Sequence, residues 1–192
     1  MRRIVVHMSI SLDGFIEGPD RDIAWHRMDE ELHQYVNDRL RSMDAFLSGR
    51  RSYELMADFW PTADADPESS AAVVEFAEIW RSTPKIVYSR TLDVAHWDTT
   101  IVRDVIPDEV RALKAEGDGD LALGGADLIH VFRGHDLVDE YRIFVHPVLV
   151  GHGKPLFWTL DASADLTLLE TRAFRNGVVL LRYRTGAAGL RS

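Results

Sequence analysis

The chain has 192 residues, 46% of them hydrophobic, and its 22 basic against 31 acidic side chains give a formal net charge of −9. That length suits one domain burying roughly 70% of its unfolded surface, and the acidic balance disfavours nucleic acids and anionic membranes as partners. Cysteine is absent, which excludes disulfides and thiolate metal sites, and the start Met1-Arg2-Arg3-Ile4 leads into neither a signal-peptide core nor a membrane span, so a soluble, cytoplasmic chain is expected.

Arg3 to Ile10 alternates with β-branched residues and predicts a strand. Ser11 to Asp20 is a loop dense in turn residues. Its apolar members Leu12, Phe15 and Ile16 either plug the core edge or fold over a ligand. Met28 to Leu40 predicts an amphipathic helix with Leu32, Tyr35, Val36 and Leu40 on one face. Asp29, Glu30 and Glu31 fall in its first turn, where the helix dipole alone favours acids. Ala45 to Ser48 is a short strand. Gly49-Arg50-Arg51-Ser52-Tyr53-Glu54 then turns into a second helix ending at Phe59-Trp60-Pro61. Free N–H groups at that helix start, flanked by two guanidinium forks, suit a phosphate; a pair of solvated arginines is the plain alternative.

Thr62 to Ser70 reads as a polar surface excursion and Ala71 to Trp80 as a helix. Lys85 to Tyr88 is a buried strand ending in Ser89-Arg90-Thr91; Thr99 to Arg103 is another strand, and Pro107 to Ala115 a helix opening on proline. Leu121 to Leu123 is a strand followed at once by Gly124-Gly125 and by helical spacing from Ala126 to Phe132. Such a glycine pair is either a tight turn or a place where backbone approaches a ligand. Alternating strands and helices indicate a mainly parallel sheet, whose ligands sit beyond the carboxyl ends of the strands. Three such ends, at Ser48-Gly49, Tyr88-Ser89 and Leu123-Gly124, carry glycine, hydroxyl or arginine.

Leu137 to Val150 predicts a long apolar strand with Pro147 inside it, and Gly151 to Phe157 a glycine-rich loop. Leu166 to Phe174 and Val178 to Tyr183 form a hairpin across Arg175-Asn176-Gly177, so the sheet finishes antiparallel. The expected architecture is α/β and three-layered, one domain over residues 1–185 with a tail at 186–192. None of the eight histidines shows a ligand spacing with a carboxylate, and no metal site is expected.

Met8-Ser9-Ile10-Ser11-Leu12-Asp13-Gly14-Phe15-Ile16 resembles the first strand and loop of dihydrofolate reductase-like proteins. It is closer to the reductase domain of the bifunctional riboflavin-biosynthesis deaminase–reductase and its stand-alone relatives. Gly49-Arg50-Arg51-Ser52-Tyr53-Glu54, Lys85-Ile86-Val87-Tyr88-Ser89-Arg90 and Leu123-Gly124-Gly125-Ala126-Asp127-Leu128 are similar to further motifs of that family, in its order. So is the block from Val138-Asp139-Glu140 through His146-Pro147 to Pro155-Leu156-Phe157.

The resemblance implies a dihydrofolate reductase-like fold, NADPH as cofactor, hydride transfer, and a homodimer packed through the C-terminal strands. Carried over, Gly49, Arg50, Arg51, Ser52, Ser89 and Arg90 would hold the 2′-phosphate and pyrophosphate side of the cofactor. Leu123, Gly124, Gly125, Ala126 and Leu128 would serve the pyrophosphate and nicotinamide ribose, and Met8, Ser9 and Ile16 would border the nicotinamide. Leu12, Trp25, Leu32, Met56 and Trp60 would line a substrate pocket between the first loop and the first two helices.

Two acids are the implied catalytic candidates. Asp29 is nearest to the helix acid of the folate-reducing relatives, at a different spacing, with Glu30 and Glu31 as other choices; Asp13 matches the riboflavin-type relatives, as an acid or as a turn former. The deaminase half of the bifunctional enzyme needs cysteine-bound zinc, so this chain corresponds to the reductase half alone. The expected activity is NADPH-dependent reduction of a pteridine-, folate- or aminouracil-like heterocycle; the other expectation is an NADP-binding regulatory or non-catalytic protein retaining the fold.

Overall fold

Ile4, Val5 and Val6 are all fully buried at the start of β1 (Ile4–Ser11), because helices cover both faces of the strand. The fold is a computed structural model that describes residues 1–158 and 163–186. β3 (Met43–Gly49), β4 (Lys85–Tyr88), β5 (Thr99–Val102) and β6 (Asp120–Leu123) join β1 in the sheet, with β7 (Glu140–His146), β9 (Leu166–Ala173) and β10 (Val179–Thr185) completing it. Its spatial order is β5-β4-β3-β6-β1-β7-β10-β9. Every pairing from β5 to β7 is parallel, and β10 is antiparallel to both β7 and β9. This is the mainly parallel sheet with an antiparallel C-terminal hairpin that the alternation of elements and the Asn176-Gly177 turn predict.

α4 (Pro107–Ala115) and α5 (Ala126–Gly134) pack on one face, where Val110, Ile129 and Phe132 meet Ile4, Val6, Leu47 and Leu123. α1 (Glu30–Leu40), α2 (Arg50–Phe59) and α3 (Ala71–Ser82) cover the other, through Leu40, Tyr53, Phe76 and Trp80 in one cluster and Leu32 with Phe144 and Leu180 in another. Alternate residues of each strand serve opposite layers, as a two-residue period requires.

Two expectations are corrected. The long strand over 137–150 is only β7, ending at His146, because Pro147 has no N–H for a ladder; Val148 N–H instead donates to the His146 carbonyl at 2.8 Å. The first loop also contains a strand, β2 (Phe15–Glu17), paired antiparallel with β8 (Lys154–Pro155) from the glycine-rich loop. The expected tail at 186–192 lies, beyond Gly186, outside the described residues.

Candidate active site

Leu47 pairs with Leu123 across β3 and β6, Gly49 with Tyr88 across β3 and β4, and Val6 with Leu123 across β1 and β6. These registers set the three strand ends rich in glycine, hydroxyl and arginine side by side at one end of the sheet. Gly124 N–H donates to the Leu47 carbonyl at 2.9 Å, tying the glycine turn to β3. Gly125 opens α5 with φ at +90°, and a Cβ on it would meet the Ser52 hydroxyl at 2.7 Å. The backbone therefore demands glycine there. A Cβ on Gly124 would meet only the Met8 sulfur, at 4.0 Å, and the same sulfur accepts from Gly125 N–H at 3.5 Å.

α2 and α5 both begin at this end, after Gly49 and Gly125, and neither carries a side-chain cap; α1 and α3 are capped by Asp29 and Ser70. The first N–H groups of α2 and α5 are thus open to an anion, with the helix dipoles adding partial positive charge. Arg51 is exposed in the first turn of α2 and makes no ion pair among the described residues. Arg50 donates from Nε to Glu54 at 2.6 Å and from its terminal nitrogen to Thr91 Oγ1 at 3.0 Å. Ser89 is buried, and its hydroxyl accepts from the N–H groups of Thr91 and Leu92 at 3.2 and 3.0 Å, so it shapes the turn. Arg90 is paired with Asp104. Leu123, Ala126 and Leu128 are buried and support the turn from the core side, with Met8 and Ile16 packed against the same cluster; Ser9 is half-buried one residue on from Met8.

The residues expected around the substrate have three different settings. Leu12 is exposed, its N–H donating to the Val148 carbonyl at 2.8 Å. Leu32 is fully buried against Phe144 and Val178 and belongs to the core. Trp25 packs edge-on against His26 and His146, whereas Trp60 packs against Phe76 and His33 and donates from its indole nitrogen to Met56 sulfur at 3.2 Å. The two tryptophans fall in separate aromatic clusters.

Both carboxylates have structural partners. Asp29 caps α1 by accepting from Leu32 N–H at 2.9 Å. Asp13 accepts from the Ser11 hydroxyl at 2.6 Å and from the N–H groups of Gly151 and Val150 at 2.7 and 3.1 Å, clamping the first loop to the glycine-rich loop. The Ser11 bond, aided by those N–H groups, holds the Asp13 carboxyl down to about 2, so it is ionised at neutral pH.

Several residues near this end are given no role by the sequence. His146 is fully buried, its Nδ1 accepts from Arg27 N–H at 2.9 Å, and its ring stacks on His26 at 5.1 Å. Burial, with help from His26 and Arg27, pushes it down to about 4. A groove of about 710 Å³ runs beside the start of α5, walled by Glu17, Arg21, Asp127, Lys154 and Trp158. Lys154 is paired with Asp127, and the Trp158 ring stacks on His130 at 4.8 Å. Gly151 and Gly153 mark that segment in the sequence, but its pairing with β2 is long-range. Among the described residues no group of three or more acidic or histidine side chains converges as a metal site, and no helix is long and apolar enough to cross a membrane.

The RibD C-terminal domain family model matches residues 2–180. The chain is 37% identical over 186 residues to the uncharacterized protein YyaP of Bacillus subtilis, covering 95% of this chain and 94% of that one. A putative riboflavin biosynthesis protein from Shewanella sp. PV-4 superposes with a TM-score of 0.72 at 22% identity, over 97% of this chain and 99% of that one. A deaminase/5-amino-6-(5-phosphoribosylamino)uracil reductase from Thermotoga maritima superposes with a TM-score of 0.66 at 16% identity, over 96% of this chain and 57% of that one. These last two establish the likeness of fold.

Proposed function

Because the chain belongs to the RibD C-terminal domain family, we propose that it is an NADPH-dependent reductase of a small pteridine-, folate- or aminouracil-like heterocycle. The observation that carries this reading is the meeting, at one end of the sheet, of two helix starts without side-chain caps, the Gly125 turn and Arg51, which has no ion pair among the described residues. The residues present fit a dinucleotide: N–H groups for its pyrophosphate, a guanidinium for an extra phosphate, and apolar Met8 and Ile16 for a ring face. When bound, NADPH supplies the hydride.

In this reading Gly124, whose Cβ position is open, leaves room for the cofactor against the turn. Arg51 holds the 2′-phosphate, while Arg50, braced by Glu54 and Thr91, adds charge beside it. Met8 and Ile16 keep water from the reacting face. The groove walled by Arg21, Lys154 and Trp158 adjoins the start of α5 and receives the heterocycle, with Trp158 offering a stacking surface. Asp13 positions both loops through its three donors. Held ionised by these donors, Asp13 is a positioning group in this reading and not the proton donor. The lack of cysteine fits a cytoplasmic setting, and the exposed Leu166, Leu168 and Leu169 of the edge strand β9 suit a homodimer contact.

The structural duties of Asp13 and Asp29 favour a second reading, an NADP-binding regulatory or non-catalytic protein. Quenching of tryptophan fluorescence by NADPH and NADH, followed by NADPH oxidation across pterins, folates and aminouracils, separates the two. Oxidation with one substrate class supports the reductase. Binding without oxidation supports the second reading, and no binding at high micromolar cofactor overturns both.

A further inference from the structure

The opposite end of the sheet concentrates arginine. Arg3 precedes β1, Arg39 lies in the last turn of α1, and Arg142 on β7 pairs directly with Arg182 on β10. With Tyr35 and Asp120 these four side chains surround a cavity of about 220 Å³. At ~30 Å³ per water, that is room for a small oxyanion and several waters.

The acids available are too few for these cations. Asp120 accepts from Arg3 Nε at 3.0 Å. Glu140, buried behind the cavity wall, is shared by Arg3 at 3.0 Å, Arg142 at 2.7 Å and Arg182 at 2.6 Å. Arg182 also reaches Glu170 at 3.5 Å. Arg39 meets no carboxylate among the described residues; its guanidinium lies 5.0 Å from the centre of the Tyr35 ring. Counting Asp120, Glu140 and even Glu170 against the four guanidinium groups, one positive charge remains uncompensated.

Arg142 sharpens the point. The residue is only 7% exposed and lines the cavity, yet its Nε alone is used, on Glu140. Its two terminal nitrogens have no acceptor among the described residues. They are not among the fully buried polar atoms left without a partner, so they face the cavity's solvent and are free to donate. A ligand that takes up these donors brings negative charge and several acceptor oxygens in fork-matching geometry, as a tetrahedral oxyanion does.

We propose that this cavity binds a phosphoryl group, as inorganic phosphate or as the phosphate end of a small metabolite. The site is independent of the reductase reading. β6 joins it to the cofactor end, starting at Asp120 and finishing at Leu123 before the glycine turn, about 10 Å of strand.

Thermal unfolding of the full chain in inorganic phosphate or glycerol 3-phosphate, against chloride at matched ionic strength, tests the proposal. Phosphate produces a rise in Tm that grows with the logarithm of its concentration above Kd, roughly 5–10 °C at a hundredfold excess over Kd. Arg39→Gln, on an exposed helix end, keeps the chloride Tm but weakens phosphate at least tenfold, and Arg142→Gln removes the rise. If Arg142→Gln fails to fold, calorimetric titration of Arg39→Gln with phosphate decides alone. Arg51→Gln, at the cofactor end, retains the full rise, which separates this site from cofactor phosphate binding. A larger effect of glycerol 3-phosphate assigns a metabolite; an equal or smaller one assigns the free anion. No rise over chloride, a rise undiminished in Arg39→Gln, or one lost in Arg51→Gln overturns the proposal.

Discussion

The Ser52 hydroxyl stands 2.7 Å from the point that a Cβ on Gly125 would occupy, so the start of α2 and the start of α5 are fitted to each other through one missing methyl group. Gly125→Ala adds this clash to a φ of +90° and destabilises the protein by about 1–3 kcal/mol. Gly124→Ala has room within the chain and keeps Tm near that of the parent. The same Gly124→Ala methyl stands where the cofactor would lie, and NADPH affinity falls at least tenfold. Thermal unfolding and NADPH titration of the two variants check the contrast; a Gly124→Ala protein that binds NADPH normally would sink the assignment of the turn to the cofactor.

Arg51→Gln weakens NADPH by tenfold or more and leaves NADH unchanged, since loss of a charge-assisted bond to phosphate is worth about 1.5–3 kcal/mol. Arg50→Gln also frees Glu54 and Thr91, so its effect includes a small loss of stability. Parallel titrations with both cofactors read the difference.

Asp29→Ala removes the cap of α1 and lowers stability by about 1 kcal/mol, and Asp29→Ser restores most of it. Activity per folded molecule stays constant in both. Asp13→Asn loosens the contact to Val150 and Gly151 and lowers kcat/KM, but the pH profile keeps its shape if Asp13, as proposed, only positions the loops. A profile that loses one limb in Asp13→Asn would return the acid to the chemistry.

Burial pushes His7 down to about 3, reinforced by Arg142, and His146 down to about 4. Both values lie below the 6.5 of a free imidazole, so the unfolded chain takes up protons that the folded one refuses. Their contribution to stability is complete above about pH 7 and is lost as pH falls from 6.5 toward 4 and 3. Denaturation midpoints decline over that range, by an amount on the order of 3–5 kcal/mol per histidine once both are protonated in the folded chain, and His146→Gln flattens the decline.

Leu168 is 53% exposed on the edge strand β9, between Leu166 and Leu169. If the homodimer forms through this strand, Leu168→Lys shifts sedimentation to the monomer while Tm and NADPH binding hold. A dimer unaffected by the charge lies elsewhere on the surface.

Most of the sheet can be read locally. Asn176-Gly177 announces the hairpin, and the runs at Ala45 to Ser48, Lys85 to Tyr88 and Leu121 to Leu123 are short, apolar and bounded by breakers. Even the end proposed to hold the cofactor follows, since parallel strands put Gly49, Ser89 and Gly124 at a common edge. What is not local is not legible. Asp29 looks the same in the sequence whether it caps a helix or protonates a substrate, and the capping bond to Leu32 N–H is visible only in the structure. Leu32 shares its face with Tyr35 and Leu40, and periodicity cannot say that the face meets Phe144 instead of a ligand. The arginine cavity joins positions 3, 39, 142 and 182, which no spacing rule connects.

The pairing of β2 with β8 makes the first loop and the glycine-rich loop one piece. A Cβ on Gly153 would stand 2.1 Å from the Glu17 carbonyl, and Asp13 fastens the same two segments one turn away. Shifting either strand by a single residue turns its side chains to the other face. The two loops, more than 130 residues apart, therefore have a joint length: a residue inserted in one must be answered in the other, and among relatives their sizes should change together or not at all.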